Sequence, residues 1–282
     1  AKAFDEMNSG TDGSVRAPYR GVADWLARTS PERLEATRRE VDLFYRRHGI
    51  TFGAYGAAEG SETTIPFDII PRVIAYDEWQ FLHKGLSQRV RALNAFLTDA
   101  YGEREICRAG IIPEEQILMN GEFVAMAQGL QLPGGVHAHI AGIDLVRVGE
   151  KDFYVLEDNV RTPSGVSYVL ENREVMMRLA PELFSAMRVL PVADYSEELL
   201  ATLRSVSFSD DAEPTVVLLT PGHFNSAYYE LSFLADLMGV DLVEGQDLFV
   251  DGEFLYMRTT EGPRRVDVLY RRIDDAFIDP LC

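Results

Sequence analysis

Lysine is nearly missing from this chain. Three of its 27 basic residues are lysines, Lys2, Lys84 and Lys151, which leaves 24 arginines. None of the three ends a glycine-rich run in GK[ST], so a nucleotide loop of that kind is excluded. Cysteine is as scarce: Cys107 and Cys282 form no metal-ligand or redox spacing, which excludes a disulfide framework and makes a reducing cytoplasm the expected compartment. No signal-peptide pattern and no apolar run of membrane-spanning length is present. Positive charge is short too. With 45 acidic against 27 basic residues the formal net charge is -18, and the arginine pairs at 38–39, 46–47, 264–265 and 271–272 are scattered. Neither nucleic acid nor an anionic membrane is therefore expected as the main partner.

What the chain does have is apolar patterning. At 282 residues and 46% hydrophobic content it can bury a sizeable core and hold two domains. The first dozen residues are polar and are expected to be loosely held. Ser30 and Pro31 open a helix in which Leu34, Thr37, Val41, Phe44 and Tyr45 recur at helical spacing, and Gly49 stops it. Residues 51–60 read as a glycine-rich loop, after which Ile65, Phe67, Ile69 and Ile70 lead through Pro66 and Pro71 into an edge strand. Residues 76–101 carry one apolar stripe, Trp79, Leu82, Leu86, Val90, Leu93, Phe96 and Leu97, which predicts a core-facing helix. Short strands are expected at 117–120 and 122–125. His137 and His139 alternate as on a strand, but no third ligand stands close by, so zinc is not expected there. A helix runs from Val166 toward Pro181 and another around 197–203. Residues 215–220, 226–238 and 240–243 then read as a βαβ unit on a buried parallel sheet. At the end of its first strand, His223, Asn225 and Ser226 are placed to meet a ligand, with helix capping as the plainer role of Asn225 and Ser226. Asp251 and Gly252 mark a hairpin over 249–256.

The most informative stretch is GIDLVRVGEKDFYVLEDNVRTPSG, residues 142–165. Strands at 143–148 and 153–159 flank a tight turn, and with Glu150 and Lys151 as its two turn residues the cross-strand positions sum to 301. Asp144 then faces Glu157, and alternation puts Asn159 on the same face. Two carboxylates and an amide oxygen suit a hard cation such as Mg2+, which is commonly shared with substrate phosphates. Arg161 adds a planar fork matched to phosphate or carboxylate. Thr162 or Ser164 is placed to cap a helix starting near Pro163, whose amino end, with Gly165, would attract an anion. The plainer reading of such a hairpin is an acidic, solvated turn.

The segments LEDNVRTPSGVSYVLENR (156–173) and LLTPGHFNSAYYELSFLADLMGVDLVEGQDLFV (218–250) resemble the circularly permuted ATP-grasp proteins, type 2, related to glutathionylspermidine synthase. The likeness extends from about Gly13 to the last residue, and Asp144, Glu157 and Asn159 match the family's metal pattern of an Asp followed by Glu-x-Asn. The resemblance implies ATP and Mg2+ as cofactors. It implies ATP-dependent ligation of a carboxylate to an amine through an acyl phosphate, with small-molecule or peptide substrates. Arg161 would be catalytic, Thr162, Ser164 and Gly165 would meet the nucleotide, and Asn225 and Ser226 the substrate. Because the family's nucleotide-gripping lysines are not found, the chain is expected to be part of an enzyme and inactive alone. The expected fold is α/β with α+β elements. It divides into a loose segment 1–20, a helical region with the metal-binding half of the catalytic domain over 21–205, and a small pre-ATP-grasp-like βαβ domain over 214–282 that continues beyond. Two other readings stand beside it, a non-catalytic peptide- or amine-binding module and a metal-dependent hydrolase.

Overall fold

The structure is a computed structural model that describes residues 4–9, 14–53, 62–64, 66–161, 163–222, 228–271 and 273. Two short strands open it, β1 (Asn8–Ser9) and β2 (Ser14–Val15), paired antiparallel. Described residues of this start make contacts with the rest of the chain. The Arg16 amide donates to the Met7 carbonyl at 2.8 Å, and the Glu6 carboxylate meets Arg72 at 2.6 Å. Helices α1 (Arg20–Arg28) and α2 (Pro31–Arg47) follow. The start of α2 is set locally: the Ser30 hydroxyl accepts from the Arg33 amide at 3.3 Å, and Pro31 occupies the first helical position. Arg46 and Arg47 sit in the last turn, where the helix dipole favours cations.

The stretch expected as a loop holds β3 (Thr51–Gly53), which pairs antiparallel with β4 (Glu62–Thr64). Residues 54–61 and Ile65 lie outside the described residues. The expected edge strand is not formed over 66–75, where Pro66 and Pro71 each remove a backbone donor. Ile69 is nonetheless buried, packed with Val41, Tyr45, Ile50 and Val175. Helix α3 (Tyr76–Tyr101) has the bounds expected, yet of its apolar stripe only Leu82 is buried, and Trp79 and Phe96 are exposed. No strand forms at 117–125: after α4 (Glu105–Arg108), α5 (Glu114–Leu118) starts behind Pro113 with two glutamates in its first turn, and residues 119–124 run on as turn and irregular chain. Both Pro at a helix entrance and acids near its positive end favour that outcome.

The hairpin of β5 (Gly142–Arg147) and β6 (Phe153–Asn159) leads into α6 (Val166–Leu179), α7 (Pro181–Ala186) and α8 (Tyr195–Arg204). Next come β7 (Val216–Leu219), α9 (Tyr228–Met238) and β8 (Asp241–Val243). The chain then runs through β9 (Leu248–Asp251), β10 (Phe254–Thr259), β11 (Gly262–Val266) and β12 (Val268–Arg271). Strand β7 lies between β8 and β12 and is parallel to both. Parallel strands covered on both faces read as continuous apolar runs, and VVLL is one. Strands β9, β10 and β11 form an antiparallel meander, and its Met257 and Val266 share a core with Val217, Leu219 and Val243.

By packing, residues 1–75, 147–152 and 164–282 form one compact unit and residues 76–146 and 153–163 another. The division at 1–20, 21–205 and 214–282 followed chain order. The units do not, since Tyr19 and Val22 pack against Met176, Ala180 and Leu183 from far along the chain.

Candidate functional site

Asp144 and Glu157 share a side-chain hydrogen bond across the hairpin, and both are exposed. That bond holds the Asp144 carboxyl above its usual range, with loss of hydration and the charge of Glu157 adding to it. Two carboxylates so close favour sharing a proton, and a divalent cation between them would relieve the same repulsion. Asn159 lies beside them, its Nδ2 donating to Glu157 Oε1 at 3.1 Å. A glycine is needed opposite: a Cβ on Gly142 would stand 3.7 Å from the Asn159 Cβ and 2.9 Å from the Pro163 Cβ. The pairs 142 with 159 and 144 with 157 both sum to 301, the register read from the sequence.

The tip differs from expectation. The Val148 amide donates to the Asp152 carbonyl at 3.0 Å, which leaves three residues, Gly149, Glu150 and Lys151, in the turn instead of two. The cause is Arg147, whose buried guanidinium donates to the carbonyls of both Gly149 and Glu150 and so draws the turn around itself. On the opposite face of β6, Arg89 of α3 grips Asp158 through two bonds of 2.7 and 2.6 Å, which holds the Asp158 carboxyl below its usual range.

Arg161 pairs with Glu122 at 2.6 Å. No spacing rule connects residues 39 positions apart, so the sequence carried no sign of Glu122. Next to it Phe123 stacks on Tyr101 with ring centres 4.8 Å apart, and Tyr101 stacks on His137 at 5.9 Å. The His137 and Ala138 amides both donate to Asn94 Oδ1, at 2.8 and 2.9 Å, so this turn is built into α3. Among the described residues no group of three or more His, Cys, Asp or Glu is placed to hold a metal. A cation at the hairpin would thus depend on the Asn159 amide oxygen as third ligand.

The phosphate-facing end of the prediction is corrected. Thr162 lies outside the described residues, Ser164 is exposed and caps nothing, and α6 starts at Val166 instead of near Pro163. Gly165 sits before it with φ 102°, a conformation that excludes most side chains. The seat at this helix end is already filled. Glu230, 3% exposed, accepts from the Gly165 amide at 2.8 Å and the Val166 amide at 3.1 Å. The signal that could have exposed it is a lone acid in the apolar first turns of YYELSFLADLM. His223, Asn225 and Ser226 lie outside the described residues.

A family profile described as "A circularly permuted ATPgrasp" matches residues 71–282. The description names neither a subtype nor a kinship with glutathionylspermidine synthase. An uncharacterised protein of Mycobacterium tuberculosis is 50% identical over 281 residues, covering 100% of this chain and 50% of that protein. An uncharacterised protein of Synechocystis is 48% identical over 268 residues, covering 95% and 56%. A putative glutamate–cysteine ligase of Frankia alni is 40% identical over 266 residues, covering 93% and 30%. The chain thus spans about half the length of the first two relatives. Among solved structures, the apo form of a glutathione synthetase-like effector from Globodera pallida aligns with a TM-score of 0.55 at 13% identity, covering 89% of this chain and 60% of that one, a likeness of fold alone. With a profile match over well more than half of its length, set on a mixed α/β fold, the chain belongs to the circularly permuted ATP-grasp family.

Proposed function

We propose that this chain carries the metal-holding part of an ATP-dependent ligase that joins a carboxylate to an amine through an acyl phosphate. The observation that supports it is the shared carboxyl pair of Asp144 and Glu157 with Asn159 alongside. The donor set fits magnesium: Asp144 and Glu157 would hold it through carboxylate oxygens and Asn159 through its amide oxygen after the amide turns over. Magnesium bound there would neutralise charge on the phosphate oxygens as the terminal phosphoryl group moves. Arg161 would leave Glu122 and steady the transferred phosphate or the carboxylate. Of the expected nucleotide contacts, Gly165 has its amide committed to Glu230, which leaves Thr162 and Ser164 in that role. Asn225 and Ser226 would meet substrate. The family's general chemistry and the ligase name of the Frankia alni relative favour this reading. Among the described residues no helix is long and apolar enough to cross a membrane.

The test begins with Mn2+ binding to the chain, followed by electron paramagnetic resonance. One saturable site is expected, lost in Glu157→Gln with the circular dichroism spectrum unchanged. Binding untouched by that substitution would remove the metal site. ATP-dependent amide formation by a protein of the relatives' full length, abolished by the same change, would carry the reaction. Metal-dependent hydrolysis without ATP would replace it with the hydrolase reading.

A further inference from the structure

Helix α3 holds the hairpin by polar anchors at both of its strands, and the residues involved lie in one compact unit. Asn94 fixes the approach to β5. Its Oδ1 accepts from the His137 and Ala138 amides, and its Nδ2 donates to the Ala138 carbonyl at 2.8 Å, shortly before β5 begins at Gly142. Arg89 fixes β6: Nε donates to one carboxylate oxygen of Asp158 at 2.7 Å and Nη2 to the other at 2.6 Å. A fork that meets both oxygens sets the orientation of that carboxylate as well as its distance.

Apolar packing does little to locate this side of the hairpin. Alternation puts Tyr154 and Leu156 on the side of β6 that carries Asp158, and both are exposed. Between α3 and β5 lies an open hollow of about 420 Å³ lined by Leu86, Ser87, Val90, Ala141 and Ile143. Contact across that gap is loose, so the bonds at Asp158 and Asn94 carry the task of placing the strands against the helix. Asp158 stands between Glu157 and Asn159, whose side chains leave β6 on its other side. A strand gripped on one side cannot turn about its own axis without carrying the other side with it. Magnesium demands near-octahedral oxygens at about 2.0–2.1 Å, so a small rotation of β6 is enough to spoil the ligand set.

We propose that Arg89 is a positioning residue for cation binding at the hairpin: through Asp158 it aims Glu157 and Asn159 at the metal, while Asn94 steadies the strand of Asp144 from the same helix. This role rests on the metal-holding reading of the hairpin and adds to it the side chains that set the affinity. Arg89 is exposed, and an exposed ion pair contributes little to folding, so its effect belongs in the geometry of the ligands. Charge alone would act the other way. Arg89 is a cation near a cation site, and removing its charge would by itself tighten metal binding. Losing its grip would loosen it.

The experiment is titration of the chain with Mn2+ at fixed ionic strength, followed by electron paramagnetic resonance, for the wild type, Arg89→Ala, Arg89→Lys and Arg91→Ala. Arg89→Ala should weaken the site at least about tenfold, the lower end of what loss of a ligand's supporting partner does to metal affinity. Arg89→Lys keeps the charge and loses the fork, so it should recover part of the affinity. Arg91→Ala removes an exposed arginine from the same helix and should bind no more weakly than the wild type. Thermal melting shows that each variant is folded at the titration temperature. If Arg89→Ala is not, Arg89→Lys decides, and wild-type affinity in it would overturn the positioning role. Unchanged or tighter binding in Arg89→Ala, or an equal loss in Arg91→Ala, would overturn that role and leave the metal site standing. A wild type without a saturable Mn2+ site would remove the metal reading and the positioning role together.

Discussion

Strands β7 and β6 both carry apolar residues and are used in opposite ways. Val216–Leu219 has a parallel neighbour on each side, and all four residues are buried. Among the described residues Phe153–Asn159 has β5 as its one strand partner, and its Tyr154 and Leu156 are 64% and 71% exposed. The difference teaches where each part of the molecule gets its properties. A strand closed on both sides contributes to the core, at about 1.5–3 kcal/mol for each large apolar side chain buried. A strand left open to water can carry Asp144 and Glu157 side by side, because solvent screens what a core would not tolerate.

The strongest test of that contrast is a pair of truncations. Leu218→Ala, at a fully buried position, should lower the free energy of unfolding by about 2–5 kcal/mol in urea titration. Leu156→Ala on the open hairpin should stay within about 0.5 kcal/mol. A loss above about 2 kcal/mol at Leu156 would show that the hairpin is covered in solution.

Glu230 sharpens the contrast, since it is a buried carboxylate whose duty is internal. Glu230→Ala leaves the Gly165 and Val166 amides without their acceptor and should cost about 1–3 kcal/mol, read from the denaturation midpoint. Glu230→Gln retains an acceptor oxygen and should cost less.

The smallest effect should come from the exposed grip of Arg89 on Asp158. Its bonds depress the Asp158 carboxyl, so the stabilisation is present above the ordinary carboxylate range and disappears as pH falls through the depressed value. Melting of Arg89→Ala against the wild type should therefore show a small deficit near pH 7 that closes in acid. A deficit that persists in acid would point to lost packing of the arginine stem instead.

Legibility in the sequence followed periodicity. The bounds of α3 and the capped start of α2 were plain from local pattern, as was the βαβ order around VVLL. The register that brings Asp144 to Glu157 came from reading Glu150 and Lys151 as a two-residue turn; the two carboxyls meet although the turn holds three residues. What escaped depended on long-range partners. Arg147 redraws its own turn with a buried side chain, Glu122 meets Arg161 from 39 positions away, and Glu230 takes the helix end meant for phosphate. The apolar stripe of α3 was visible, but periodicity tells which residues share a side and not whether anything covers them. Residues 117–125 were misjudged because short apolar runs do not separate helix from strand.

The carboxyl pair on the hairpin also bears on how this protein would respond to selection. Asp144 and Glu157 repel one another whenever neither a proton nor a cation lies between them, so an unoccupied pair carries a local cost. Directed evolution for heat resistance alone would remove it, with Glu157→Gln or Asp144→Asn among the first gains. Such variants would trade away readiness for a cation to gain robustness, the familiar opposition between stability and activity. A thermostabilised version should accordingly be checked at these two positions before any loss of activity is blamed on rigidity.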